Sequence, residues 1–325
     1  MERGPHQSAE GKAATIQLWE ETADKVKQGY ARVVKWKEIK NNMPKKLKIS
    51  PVAMIPHKSK QFRCILDLSA TLHHRGNKYL SVNDTTNKLS LAELMVQLGQ
   101  SLKRIIATMA DDWKLNPITS WKFDKLDIKD GFWRMGVSDD DAWNFCYVLP
   151  TLKPHTSMDE MEIVVPNSLQ MGWCESPPLF CSGTETARDI IANLKTDASL
   201  PPHPLEHHMM KEVKETDPDN TTNNEQSVLE VFVDDFIAAT NNTSHNNLQH
   251  LSRTMMHGIH SIFPPPAVTG HNRFDPISEG KLEKGEGTWS HEKEILGWIV
   301  NGENGTITLP ANNCDDIRRL IYKRH

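Results

Sequence analysis

The chain has 325 residues, 38% hydrophobic and 25% charged, with 38 Lys and Arg against 42 Asp and Glu for a formal net charge of −4. That is enough to bury a core unaided, and the longest apolar runs span a few positions against the ~20 a membrane helix needs, which excludes a helical membrane span. MERGPHQSAEGKAAT has no apolar segment of the secretory kind, and the five cysteines (Cys64, Cys146, Cys174, Cys181, Cys314) are scattered without a C-x-x-C pair, so the expectation is an intracellular chain with reduced thiols, cytoplasmic or nuclear.

Residues 17–40 space Leu18, Val26, Val33 and Val34 as on a helix, which Asn41-Asn42-Met43-Pro44 ends. Charge is uneven here. From Lys25 to Arg63 there are twelve basic residues against one acid, Glu38, a net of +11 that leaves −15 for the remainder. Such segregation points to a cationic patch for an anionic polymer beside an acidic region able to hold cations; a solvated lysine-rich arm is the plainer alternative. SPVAMIP and QFRCILDL are β-rich runs joined by His57-Lys58-Ser59-Lys60, a hairpin with a basic tip. A long helix is predicted from Ser90 to about Asp111, with Ser90 and Glu93 as its capping box.

WKFDKLDI then reads as a strand running into a turn or short helix at KDGFWRM, followed by strands WNFCYVLP and MEIVVP and a helix at LFCSGTETARDIIANL. Residues 197–227 crowd Pro, His, Asp and Asn into a polar loop or insertion. Its His203, His207 and His208 lack a cysteine or acid at zinc-ligand spacing and read as solvated. VLEVFVDDFIAAT is followed by a helix at LQHLSRTMMHGIHSIF, and EILGWIV with GTITLP, separated by Asn-Gly-Glu-Asn, gives a second hairpin. Sheet elements interspersed with long helices make the expected class α+β.

Asp234 and Asp235 interrupt an apolar run, and ionised carboxylates are not buried in a sheet without partners. The pair is therefore either the wet tip of a hairpin or a cation ligand; Val-Asp-Asp-Phe lacks the glycine or asparagine that tight two-residue turns prefer. Asp127, at the end of the strand K-L-D-I, supplies a third carboxylate. A strand-end Asp beside a hairpin-tip pair is the minimal oxygen-donor set for two Mg2+ ions ~4 Å apart, with Mn2+ as a substitute. One ion would activate a primer 3'-hydroxyl and the other would hold the phosphates of a nucleotide. The backbone amides after Asp127, Ile128 first, would cradle a triphosphate.

With these blocks in this order, the chain resembles the reverse transcriptase of an LTR-type retroelement. SPVAMIPHKSKQFRCILDLS resembles the fingers hairpin, which implies Lys58 and Arg63 as triphosphate contacts. LDIKDGFW resembles the first catalytic block, with Asp127 as metal ligand and Phe132, five residues on, as the steric gate against a ribose 2'-hydroxyl; a palm-core role for that ring stands beside it. VVPNSLQMGWCESPPLF resembles the block supporting template base and nucleotide, at Gly172, Ser176 and Pro177, with Met171 where many relatives carry glutamine. Phe232 to Asp235 resembles the Tyr-x-Asp-Asp box. Ile295 to Val300, with Leu296, Gly297 and Trp298, resembles the primer grip. Lys281 and Lys284 are candidates for a lysine that protonates pyrophosphate, a solvated loop charge being the plainer reading.

The resemblance covers about residues 46–310 and implies a right-hand polymerase: a basic helical extension at 1–45, fingers at 46–120 with 140–165 returning to them, and a palm at 121–139 and 166–300. The palm's antiparallel sheet would pack on helices and include the 197–227 insertion. Residues 301–325 would be the primer-grip end and the truncated start of a thumb, too short for a full thumb or an RNase H, integrase or protease module. The implied function is template-directed transfer of deoxynucleotides to a primer 3'-hydroxyl by a two-metal mechanism, with an RNA or DNA template-primer and dNTPs as partners. The alternatives are an inactive or poorly processive remnant that binds nucleic acid, and an RNA-dependent RNA polymerase, which Phe132 opposes.

Overall fold

The computed structural model describes residues 6–57, 61–89, 94, 96–97, 99–151, 157–214, 225–266, 273–311 and 314. Helices and small antiparallel sheets mix in an α+β fold, and the chain divides into two units. The first comprises Met1–Met95, Asp130–Phe180 and Pro265–Phe274, the second Val96–Lys129, Cys181–Pro264 and Asp275–His325. No helix among the described residues is long and apolar enough to cross a membrane.

In the first unit the helix Lys12–Lys27 buries Ala14 and Leu18 and ends ahead of Gly29, at φ 72°. The chain then forms strand β1 (Ala31–Lys35) and a single-turn helix, Trp36–Ile39, so the continuous helix expected over 17–40 is corrected. The reason is non-local. The β-branched ARVVK segment has a partner far along the chain in β8 (Glu162–Pro166), whose other edge takes β7 (Tyr147–Val148). The hairpin expected around residues 57–60 is present: β2 (Val52–Pro56) pairs with β3 (Phe62–Leu66) and His57 N donates to Gln61 O at 3.3 Å, while Lys58, Ser59 and Lys60 lie outside the described residues. A further hairpin joins β4 (Leu72–His74) to β5 (Asn77–Tyr79). Leu18, Val52, Met54, Leu68, Phe145 and Val164 share one core.

Charge separated along the sequence is reunited in space. Lys25 pairs with Asp130 (2.5 Å), Arg32 with Asp139 (3.5 Å), Lys35 and Lys37 with Glu160 (2.6 Å each), Lys40 with Asp159 (2.7 Å) and Lys46 with Asp141 (2.6 Å). Hydrogen bonds from Lys35 and Lys37 hold the Glu160 carboxyl down at about 2. Half of the basic run thus faces acids of its own unit, neither a bare patch nor a solvated arm.

The second unit is built on a three-stranded antiparallel sheet in the order β6 (Lys122–Asp127), β10 (Asp235–Thr240), β9 (Ser227–Phe232). One face meets the helix Ser101–Leu115 through Ile105 and Met109, together with Phe123, Ile237, Ala239, Ile295 and Val300. That helix starts after Gly99, at φ 87°, and runs past Asp111; the capping pair Ser90 and Glu93 lies outside the described residues. EILGWIV, expected as one strand, is folded back on itself: β11 (Glu292–Ile295) and β12 (Trp298–Asn301) flank a Leu296-Gly297 turn at φ 50° and 80°, and β13 (Thr306–Thr308) pairs beyond. Trp121 N donates to Gly302 O (3.0 Å) and Phe123 N to Ser290 O (2.8 Å), which ties this meander to the start of β6.

The helices Ser176–Leu194 and His245–Ile262 approach closely at Gly258, where a Cβ would stand 2.1 Å from Ile191 Cγ1. Gly258→Ala should therefore lower unfolding stability by about 1–3 kcal/mol. Urea denaturation reads this directly, and an unchanged midpoint would contradict so close an approach.

The 197–227 stretch departs from a solvated insertion. His203 and His208 are buried, the Glu206 carboxylate takes both arms of Arg253 (2.9 and 2.8 Å), and a chain of hydrogen bonds runs from His203 to His260 (3.1 Å) to Asp275 (3.0 Å). Burial, with His260 and His257 close by, pulls the His203 pKa down to about 4. Residues 215–224 lie outside the described residues.

Candidate active site

β6 ends at Asp127 and β10 begins at Asp235, and the ladder sets these two residues directly opposite each other. Opposed residues on antiparallel neighbours project from the same sheet face with Cβ atoms about 4.5–5.5 Å apart. Phe232 pairs with Asp235, so β9 and β10 are joined by the two-residue tip Val233-Asp234. Ile128 N donates to Asp234 O at 3.1 Å, stitching that tip to the end of β6. Three acids from two distant segments therefore meet at one end of the sheet.

The tip is strained. Val233 sits at φ 58°, a left-handed conformation that glycine adopts freely and a β-branched residue resists, at a cost on the order of 1–3 kcal/mol. The missing glycine argued against a hairpin here; the hairpin forms regardless because its surroundings hold it. Ser101 Oγ donates to Val231 O at 2.6 Å, and the buried Cys181 thiol is hydrogen-bonded to the Val233 backbone. Burial and the negative charges of Glu185 and Asp234 push that thiol up to about 12, so it is an inert support.

Electrostatics mark the same place. Asp234 is exposed at the tip, yet loss of hydration to surrounding protein, followed by the charges of Asp235 and Asp127, raises its pKa. Two lysines answer the acids. Lys281 Nζ donates to Asp127 Oδ2 at 2.7 Å, and Lys125 Nζ lies 3.4 Å from Asp235 Oδ1. Lys281, on the helix Glu279–Glu283, is thus part of the site rather than a loop charge; Lys284 caps the C-terminus of that helix. Partial burial works to lower the Lys281 pKa, but the hydrogen bond and charge of Asp127, with Glu286 and Asp235, outweigh it and raise the value. Lys125 was missed, although it lies two residues before Asp127 on one strand, and period-two alternation puts both on one face.

Three carboxylates supply the hard oxygen donors that Mg2+ and Mn2+ prefer, so donor chemistry and register fit a divalent cation. Among the described residues no three His, Cys, Asp or Glu side chains already stand in ligating positions, and Asp127 Oδ2 is given to Lys281.

The other residues singled out from sequence are distributed as follows. The amides expected to cradle a triphosphate are occupied: Ile128 N by Asp234 O, and Lys129 N by Pro276 O at 2.8 Å, which removes that role for Ile128. Leu296 and Gly297 form a separate hairpin tip in the same unit, with Trp298 exposed beside it and Leu296 packed on the Phe123 and Ile237 core. Arg63, Phe132 and Gly172 belong to the first unit. There Phe132 packs edge-on against Phe180 with ring centroids 5.1 Å apart, and the Arg63 guanidinium lies 3.2 Å from the sulfur of Met171. Gly172, at φ 100°, is a glycine by necessity, since a Cβ would approach Leu66 O to 2.9 Å. Ser176 Oγ donates to Gln170 O at 2.7 Å, and Ser176 opens the helix in whose first turn Pro177 stands. Lys58 lies outside the described residues.

No protein family's sequence profile matches this chain, and no curated protein matches it. Among solved structures, it is similar to the foamy viral protease-reverse transcriptase in complex with double-stranded DNA, at 17% identity and a TM-score of 0.48, over 97% of this chain and 38% of that one. The chain thus spans under two fifths of the length of that relative.

Proposed function

We propose that this chain is a nucleotidyltransferase, an RNA-directed DNA polymerase of retroelement type that adds deoxynucleotides to a primer 3'-hydroxyl on an RNA or DNA template. The observation that carries the reading is the in-register pairing of Asp127 with Asp235 beside the strained tip that presents Asp234. Bound there, two Mg2+ ions, or Mn2+ in their place, would lower the pKa of the primer hydroxyl and stabilise the leaving pyrophosphate. Asp127, Asp234 and Asp235 would hold them, and a β-ladder fixes two of these three backbones more tightly than a loop would. Lys125, next to Asp235, limits the excess negative charge. Triphosphate contacts by Lys58 and Arg63, sugar gating by Phe132, nucleotide support at Gly172 and primer placement at Leu296, Gly297 and Trp298 rest on the family resemblance.

The test is primer extension on an RNA template with dNTPs and Mg2+. Products should form, chelation should remove them, and Asp127→Asn should abolish them. Asp111→Asn, at a side chain 71% exposed on the helix Ser101–Leu115, should leave them unchanged. Equal extension by both variants would overturn the assignment.

A further inference from the structure

Asp127, Asp234 and Asp235 concentrate three negative charges at one sheet end, and the nearest balancing charge belongs to Lys281. Its ammonium is 2.7 Å from Asp127 Oδ2 inside the site and 3.9 Å from Glu286 Oε2 outside it, so one cation stands within reach of two carboxylates. The backbone beneath it is pinned. Leu282 is buried, and a Cβ on Gly287 would meet Leu282 Cδ2 at 2.4 Å and Leu126 Cδ2 at 3.2 Å, so the turn after this helix packs closely against both the helix and β6. Glu286 N donates to Lys281 O at 3.1 Å, keeping the second carboxylate beside the lysine's own main chain. What is left free to move is the lysine side chain, 45% exposed on a flexible four-carbon stem.

An ammonium and a divalent cation compete for the Asp127 carboxylate, because like charges that close repel in a partly desolvated site. We propose that Lys281 is the resident counter-cation of the metal-free site and shifts from Asp127 to Glu286 when a divalent cation binds. This rests on the reading of the three aspartates as a cation site, and it adds an internal competitor that sets how tightly the cation is held. Lys281 neutralises the acids while the site waits, and Glu286 lowers the cost of leaving them.

The test is Mn2+ titration of the full chain, following the free-ion signal by electron paramagnetic resonance. Lys281→Met keeps the stem and removes the charge, and should tighten Mn2+ binding about three- to tenfold. Glu286→Gln removes the second resting place and should weaken binding about two- to threefold, an opposite sign that stands even if Lys281→Met fails to fold. Lys284→Met should match the wild type. Unchanged or weaker binding in folded Lys281→Met, or tighter binding in Glu286→Gln, overturns the proposal. Asp234→Asn separates the two levels: if it binds Mn2+ like the wild type, or if the wild type binds none, the cation site and the competitor fall together. If Asp234→Asn loses binding while Lys281→Met does not tighten it, only the role of the lysine falls.

Discussion

Asp234→Asn should lower primer extension by a factor on the order of 10^2 to 10^3 and, in the presence of a chelator, raise the stability of the protein. On the proposed assignment the loss follows from removing a cation ligand whose effect on the transition state is worth several kcal/mol. The gain follows from linkage. The folded-state pKa of Asp234 is raised, by lost hydration first and by Asp235 and Asp127 next, so its contribution is most favourable below the unfolded value and is lost as pH rises through the folded one. Above the unfolded value the aspartate therefore works against folding, and the amide relieves it. Urea denaturation in chelator at pH 7.5, beside extension rates, measures both. A variant that is less stable as well as inactive would reassign Asp234 to a structural role, and a variant that remains active would remove it from the chemistry.

Asp124 should impose a pH dependence on the fold of comparable weight. It lies on β6, three residues before Asp127 and on the opposite face, fully buried. Its Oδ1 accepts the Lys125 amide at 2.6 Å, and its Oδ2 has no hydrogen-bond partner among the described residues. Burial drives its pKa up to about 7, against the pull of the Lys293 charge and the Lys125 amide. The stability tied to its protonated form is complete below about pH 4 and is lost as pH climbs through about 7, a swing on the order of 4 kcal/mol at ~1.4 kcal/mol per unit. Unfolding free energies should fall between pH 5 and pH 8 in the wild type and change much less in Asp124→Asn, whose carbonyl oxygen can still accept the Lys125 amide. Parallel pH profiles for the two proteins would show that Asp124 does not carry the effect.

Local patterns in the sequence were sufficient where an element is decided by its own residues. The strand into Asp127, the helix LFCSGTETARDIIANL and the hairpin around residues 57–60 were legible in this way, whereas the meeting of Asp127 with the Asp234-Asp235 pair was expected from the order of the blocks. What escaped was decided at long range. Ala31–Lys35 is a strand because Glu162–Pro166 lies beside it, and nothing within residues 17–40 announces that partner. Likewise, the acids that neutralise Lys35, Lys37 and Lys40 stand more than a hundred residues later, so a run of charge in the sequence was no guide to charge on the surface.

Leu296 and Val233 hid their turns for a different reason. Each takes the positive φ that usually advertises itself as glycine or asparagine, and only the surrounding ladder enforces it. Lys281 looked like one charge among several in EGKLEKGEG because its single distinguishing feature, a hydrogen bond to an aspartate 154 positions earlier, exists only in the fold.

The carboxylates of Asp127, Asp234 and Asp235 are proposed to hold divalent cations jointly. Crystals of the full chain soaked in Mn2+ test it most directly through the anomalous signal of the ion. Expected is a peak about 2.1 Å from oxygens of Asp127 and the Asp234-Asp235 tip, with the Lys281 ammonium drawn off Asp127. Manganese bound elsewhere, with these three carboxylates vacant and Lys281 still on Asp127, would contradict it.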